Sequence, residues 1–253
     1  MNARRLASRI ALGIAAALAV AVVAFLVWAS QAYHADGVFD QVESVSQGAS
    51  VQDGPRIAVS QDDRTIAVAA DGATTGIILY PGAKVDADAY TPLAYDIAAR
   101  GYCCVIAKMP LDLAMFDIDA ASDIAAAHPE IDSWWIGGHS LGGAMAAQYA
   151  SSHPEDLRGV VLLASYSATD ISDTDLSALT IYGTQDGVLD RDRLEKNAAN
   201  LPTDSQTAII DGGNHAGFGS YGVQSGDGDA SIAPEDQQQR TADAIADFIE
   251  TRG

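Results

Sequence analysis

Gly138-His139-Ser140-Leu141-Gly142 is the stretch whose reading decides the fold. It matches G-x-S-x-G, and its flanks give the pattern a structural context. Upstream, residues 131–136 (Ile-Asp-Ser-Trp-Trp-Ile) form a short aromatic and β-branched run that reads as a buried strand. Downstream, residues 144–150 are good helix formers, and His153-Pro154 marks a stop. A strand that gives way to a helix at a serine is a nucleophile elbow, a turn that lifts the hydroxyl out of the top of a sheet. The glycines suit that turn sterically, because a Cβ at Gly138 or Gly142 would collide with the facing backbone as strand and helix pack together.

A serine hydroxyl is a poor nucleophile until a base takes its proton. An elbow at Ser140 therefore predicts a carboxylate and then a histidine further along the chain. Residues 179–183 read as a strand, and Thr184-Gln185-Asp186-Gly187 follows as a polar turn at its carboxyl end, where the catalytic loops of an open α/β sheet lie. Asp186 is the candidate acid. Residues 207–210 read as the next strand, and Asp211-Gly212-Gly213-Asn214-His215 leaves it, which makes His215 the candidate base. Asp211 is the alternative acid, although it sits close to His215 for the usual separate-loop geometry, and Asp190 falls in the first turn of a helix. Of the other histidines, His139 lies inside the elbow with its side chain directed away from that of Ser140. His128 and His153 each precede a proline at a helix end, and His34 follows an apolar segment.

Acyl chemistry also needs backbone N–H donors aimed at the oxygen on which charge develops. The elbow supplies one, the N–H of Leu141. The second is expected in the loop after an earlier strand. Residues 76–80 (Gly-Ile-Ile-Leu-Tyr) read as that strand, and Pro81-Gly82-Ala83-Lys84 leaves it. The Ala83 N–H is the candidate second donor, with Gly82 as the alternative.

With these residues in hand, the chain from about residue 57 to the carboxyl terminus resembles the α/β-hydrolase superfamily. It looks most like a compact bacterial branch related to dienelactone hydrolases. The resemblance is carried by Tyr80-Pro81-Gly82, Lys108-Met109-Pro110, Gly-Gly-His-Ser-Leu-Gly-Gly at 137–143, Tyr182-Gly183-Thr184-Gln185-Asp186-Gly187 and Gly212-Gly213-Asn214-His215-Ala216. It implies Ser140 as nucleophile, Asp186 as acid and His215 as base. Dienelactone hydrolases proper use a cysteine nucleophile, so the serine at 140 departs from their pattern and their ring-opening substrate does not carry over.

The coarse pattern agrees with a mostly parallel sheet covered by helices on both faces. Strands are expected over 64–70, 76–80, 102–108 and 159–164, the first two joined as a hairpin or by a short connection. Helices are expected over 90–100, 117–127, 189–199 and 235–251. Residues 57–253 thus read as one catalytic domain with a sizeable core. No long apolar insertion of the kind that builds a lipase lid is evident, and 218–234 is the one long irregular loop, rich in Gly, Asp and Ser.

Residues 10–29 form an uncharged run of the length that crosses a bilayer as a helix, preceded within residues 1–9 by Arg4, Arg5 and Arg9. Basic flanks stay cytoplasmic, so the expectation is a single-pass anchor with an extracytoplasmic catalytic domain. The alternative is a secretory signal cleaved near Ser30-Gln31-Ala32. Residues 30–56 read as a tether and the start of the domain. With 34 acidic against 14 basic residues, the net charge of −20 excludes nucleic acid as a partner. Cys103 and Cys104 are adjacent on a predicted strand and should face opposite sides, as buried apolar residues. No metal motif is present: Asp227 and Asp229 lack the rest of a calcium loop. The leading expectation is an esterase-like serine hydrolase acting on a small-molecule acyl substrate without a cofactor. The alternative is an idle scaffold that keeps the fold as a binding surface.

Overall fold

The computed structural model describes residues 3–36 and 55–252, so most of the tether expected between 30 and 56 lies outside the described residues. The chain divides into two units at Ala32 and Tyr33. The first is helix α1, Ala3–Ala29. Its Leu12–Ala29 stretch, with mean hydropathy 2.6, is long and apolar enough to cross a membrane.

The second unit is built on an eight-stranded sheet in the order β1-β2-β4-β3-β5-β6-β7-β8. Its strands are β1 Ile57–Gln61, β2 Thr65–Ala70, β3 Thr75–Tyr80, β4 Cys103–Ala107, β5 Ser133–His139, β6 Gly159–Leu163, β7 Ser177–Gly183 and β8 Ser205–Ile210. From β4 to β8 all pairings are parallel, and β2 alone runs against its neighbours. The helices are α2 Thr91–Ala98, α3 Ala120–Ala127, α4 Leu141–Ser152, α5 Arg191–Asn197 and α6 Pro234–Glu250.

Strand alternation sends successive side chains to two separate cores. Ile77, Leu79, Cys104, Ile106 and Trp135 join Leu93 and Ile97 of α2 and Ile245 and Phe248 of α6 in one. Ile78, Tyr80, Cys103, Val105 and Ile136 join Ile124 of α3 and Ala146, Ala147 and Ala150 of α4 in the other. Cys103 and Cys104 therefore do face opposite sides, both as buried free thiols, and burial pushes Cys103 up to about 11.

The strands at 64–70 and 76–80 do not form a hairpin, because β4 lies between them. The hairpin is instead β1 with β2, and β1 is a strand the sequence pattern did not reveal. Its turn is closed by Asp62 Oδ1, which accepts the N–H groups of Arg64 at 2.8 Å and Thr65 at 2.7 Å, the local bonding that makes aspartate a turn former. Strand β5 starts two residues later than its apolar run and continues to His139, directly against the elbow.

Candidate active site

Parallel strands present their carboxyl ends on one edge of a sheet, and the loops leaving that edge carry all of the predicted residues. Ser140 follows β5, Asp186 follows β7, His215 follows β8, and Gly82 and Ala83 follow β3.

Ser140 has φ 52° and ψ −120°, a conformation L-residues rarely adopt, which stores about 1–3 kcal/mol of strain. Its surroundings hold it there. The Ser140 N–H donates to Leu163 O at 2.9 Å, and the Ser165 hydroxyl donates to Ser140 O at 2.7 Å. The flanking glycines are required by close approach. A Cβ on Gly138 would meet the Gly142 backbone, and one on Gly142 would meet the carbonyl oxygens of Tyr80 and Pro81.

Asp186 Oδ2 lies 3.1 Å from His215 Nδ1, with both side chains almost wholly buried. Asp186 Oδ1 accepts the N–H groups of Val188 at 2.9 Å and Leu189 at 2.8 Å. Burial alone would raise the Asp186 pKa, but the His215 contact and the two N–H donors outweigh it and hold the carboxyl below its ordinary 3.8. Asp186 is therefore ionised at neutral pH and cannot donate. The proton between Asp186 and His215 sits on Nδ1, so whenever the ring carries a single proton its lone pair is on Nε2. That Nε2 is buried and has no hydrogen-bond partner among the described residues.

The remaining candidates are accounted for elsewhere. Asp211 is exposed and accepts from the Thr184 hydroxyl at 3.3 Å. Asp190 caps α5 by accepting the Arg193 N–H at 2.9 Å. His128 pairs with Glu130, His153 stacks on Tyr149, and His34 pairs with Asp86.

Two positioning devices escaped the sequence pattern. The first is Asp227, in the 218–234 loop. Its Oδ1 accepts the N–H groups of Gly187 and His215, each at 3.1 Å, and of Gly228 at 2.8 Å. Its Oδ2 accepts that of Ala216 at 2.8 Å. One carboxylate thus pins the turn carrying Asp186 to the turn carrying His215. The signal available in advance was a carboxylate between glycines, Gly226-Asp227-Gly228, in the loop after the histidine.

The second device is a relay through Tyr90 and His139. The Gly82 N–H donates to Tyr90 Oη at 2.9 Å, and Tyr90 Oη lies 2.8 Å from His139 Nδ1. Burial above all, with a smaller Coulombic effect of neighbouring His215, lowers the His139 pKa well below the histidine range, so its neutral Nδ1 accepts the tyrosine proton. The His139 ring packs 4.5 Å from that of His215. This arrangement spends the Gly82 N–H. The N–H groups of Ala83 and Leu141 have no hydrogen-bond acceptor among the described residues.

Residues 76–239 match the Alpha/beta hydrolase family, and the chain belongs to it. No curated protein matches the chain in sequence. Among solved structures it is similar to a predicted CIB-like hydrolase from Thermoplasma acidophilum, at 16% identity over 76% of this chain and 99% of that one, with a TM-score of 0.54. It is also similar to a membrane phospholipase A described as a bacterial virulence factor, at 15% identity over 96% of this chain and 98% of that one, TM-score 0.59. A third is Est1E from Butyrivibrio proteoclasticus, at 12% identity over 78% and 99% of the two chains, TM-score 0.56. At these identities the likeness is one of fold.

Proposed function

We propose that the protein is a membrane-tethered serine hydrolase that cleaves an ester or related acyl bond through an acyl-enzyme. Ser140 Oγ attacks the substrate carbonyl as His215 Nε2 takes its proton, and Asp186 holds the imidazole and balances the imidazolium that forms. The N–H groups of Ala83 and Leu141 stabilise the oxyanion. The imidazolium then protonates the leaving group, and water attacks the acyl-enzyme with His215 again as base. Serine is regenerated as the acid departs.

The observation that carries this reading is His215 Nε2, buried and without a partner while Nδ1 is committed to Asp186. A buried polar atom left unpaired costs about 1–3 kcal/mol, and a general base has a use for it that a scaffold has not. The Asp186–His215 pair also bears on the choice of acid, since Asp211 takes no part in it. A fluorophosphonate probe tests the proposal: the folded protein should label, and Ser140→Ala should abolish labelling. A folded protein that does not label is the idle scaffold.

Asp186→Asn should cut kcat by about 10⁴-fold, because an amide favours the wrong histidine tautomer, whereas Asp211→Asn should leave it unchanged. The reverse pattern in steady-state kinetics would make Asp211 the acid. The same carboxyl shapes acid stability. Its folded pKa lies below 3.8, so its ionised form stabilises the fold above that value, and the contribution is lost as pH falls through the folded pKa. Melting curves between pH 5 and 2, a range of about three units set by the carboxylate pKa values, should show a shallower acid decline for Asp186→Asn than for the native chain.

The membrane part of the proposal rests on Leu12–Ala29, read as an uncleaved anchor with the catalytic unit outside the cytoplasm. The full chain should remain with membranes through an alkaline carbonate wash, and external protease should reach the catalytic unit in intact cells. A mature soluble form beginning near Tyr33 would instead identify a cleaved signal. Deleting residues 1–30 should give a soluble enzyme, because the deletion spares Tyr33–Asp36 and every proposed catalytic residue.

A further inference from the structure

The edge of the sheet that carries the site also carries apolar side chains that the proposed chemistry does not use. In the second unit, Leu111 (48% exposed), Met115 (50%), Phe116, Val188 and Val223 (93%) are partly or largely exposed. All five lie on loops leaving the carboxyl ends of β4, β7 and β8. Among the described residues of that unit, the two other exposed large apolar residues, Val59 and Ile209, lie within strands. Hydrogen bonds link the loops of this edge in series. The Lys84 N–H donates to Asp112 O at 2.7 Å, the Ser220 N–H to Ala89 O at 2.7 Å, and the Gly187 N–H to Asp227 Oδ1 at 3.1 Å. Backbone strain is spent there too: Leu111 and Asp112 have φ of 55° and 54°, a region costing about 1–2 kcal/mol per non-glycine residue. That turn leaves Leu111 exposed rather than in a core.

Two of these loops, after β3 and β8, hold the chain segment that follows α1. The Tyr33 N–H donates to Lys84 O at 2.6 Å, and Tyr33 O accepts the Asp86 N–H at 3.0 Å. The Asp36 N–H donates to Ser220 O at 2.9 Å. The Tyr33 ring packs on Tyr221 with centroids 5.6 Å apart. In the sequence, only Ser30-Gln31-Ala32 separates α1 from this segment.

We infer that the apolar rim is the surface by which the enzyme meets a lipid bilayer, and that its acyl substrate is an amphiphile held in that bilayer. Scattered apolar side chains on a surface need no explanation. These lie on loops leaving the edge that carries the site, and the backbone of two loops of that edge, after β3 and β8, hydrogen-bonds the segment that follows the apolar helix in sequence. Side chains of this kind partition into the headgroup and acyl boundary. The net charge of −20 opposes approach to an anionic surface, so the bilayer that fits is zwitterionic or uncharged. The inference rests on the hydrolase and anchor readings above.

The test uses the full chain in phosphatidylcholine vesicles, with soluble p-nitrophenyl acetate and a fluorogenic long-chain acyl ester dissolved in the bilayer as parallel substrates. The combined variant Leu111→Asn, Met115→Ser, Val223→Ser should hydrolyse the soluble ester within about twofold of the native rate. It should lose at least about tenfold on the vesicle-held ester, equivalent to about 1.4 kcal/mol. Should the combined variant not fold, Val223→Ser alone carries the same comparison. Equal effects on the two substrates, or no effect on the vesicle ester, would overturn the inference. Self-association that depends on these side chains, with vesicle activity unchanged, would assign the rim to a second copy and overturn it as well. A native chain inactive on both esters would overturn the hydrolase reading itself, and a native chain released by carbonate would overturn the anchor reading, each taking the inference with it.

Discussion

Ser140→Ala and His215→Ala should each lower kcat by about 10⁴-fold or more, and the double variant should be scarcely worse than either, because members of a nucleophile–base unit fail together. Their effects on folding should differ. Ser140 donates and accepts through its backbone at the elbow, so removing the hydroxyl should leave the melting temperature almost unchanged. His215 is buried against Asp186, and its loss leaves an ionised carboxylate with only the Val188 and Leu189 N–H donors. Breaking a buried pair on one side is costly, of the order of 3 kcal/mol. His215→Ala should therefore be inactive and less stable, and Ser140→Ala inactive and as stable as the native chain. Single-turnover kinetics with thermal melts of the same preparations separate the two effects. Near-native turnover in either variant would remove Ser140 and His215 from their assigned roles.

Asp227→Ala should lower both stability and rate, although Asp227 is placed outside the reacting groups. It removes the acceptor for the N–H groups of Gly187, His215, Ala216 and Gly228. Hydrogen bonds to a charged acceptor contribute about 1.5–3 kcal/mol each when intact, so a loss of several kcal/mol of stability is expected. The kinetic consequence follows from placement: a base displaced by an ångström loses about 10²-fold in rate. That loss should fall on kcat, with KM for a small ester little changed. Asp227→Asn is the sharper variant. Both carboxylate oxygens accept in the native structure, so either orientation of the amide points an NH₂ group at a backbone N–H. Asparagine should therefore rescue little of the alanine loss. A variant with native kcat and a lowered melting temperature would reduce Asp227 to a purely structural loop residue.

Much of the fold was legible because its signals are local. The run before Gly138 and the helix formers after Ser140 are read from neighbouring residues, the order Ser140, Asp186, His215 from position along the chain, and each is found on the element expected of it. Strand partners were less legible, because pairing depends on which segments cross the sheet. Residues 64–70 and 76–80 adjoin in sequence, yet β4 separates them. The strand at 57–61 was missed because its burial is slight, with no alternating apolar face to mark it.

By itself, the sequence determined the class of fold and which residues are proposed to react, because the steric need for glycine and strand and helix periodicity are written locally and the order of candidates is read along the chain. Only the tertiary structure decided how those residues are held. Asp186, and not Asp211, makes the 3.1 Å contact with His215, across loops 29 positions apart. The Asp227 clamp, the Gly82–Tyr90–His139 relay and the pairing of Tyr33 with Lys84 and Asp86 likewise join segments remote in sequence. Hydrogen bonds act over about 3 Å in space and carry no memory of distance along the chain, so no local pattern could have announced them.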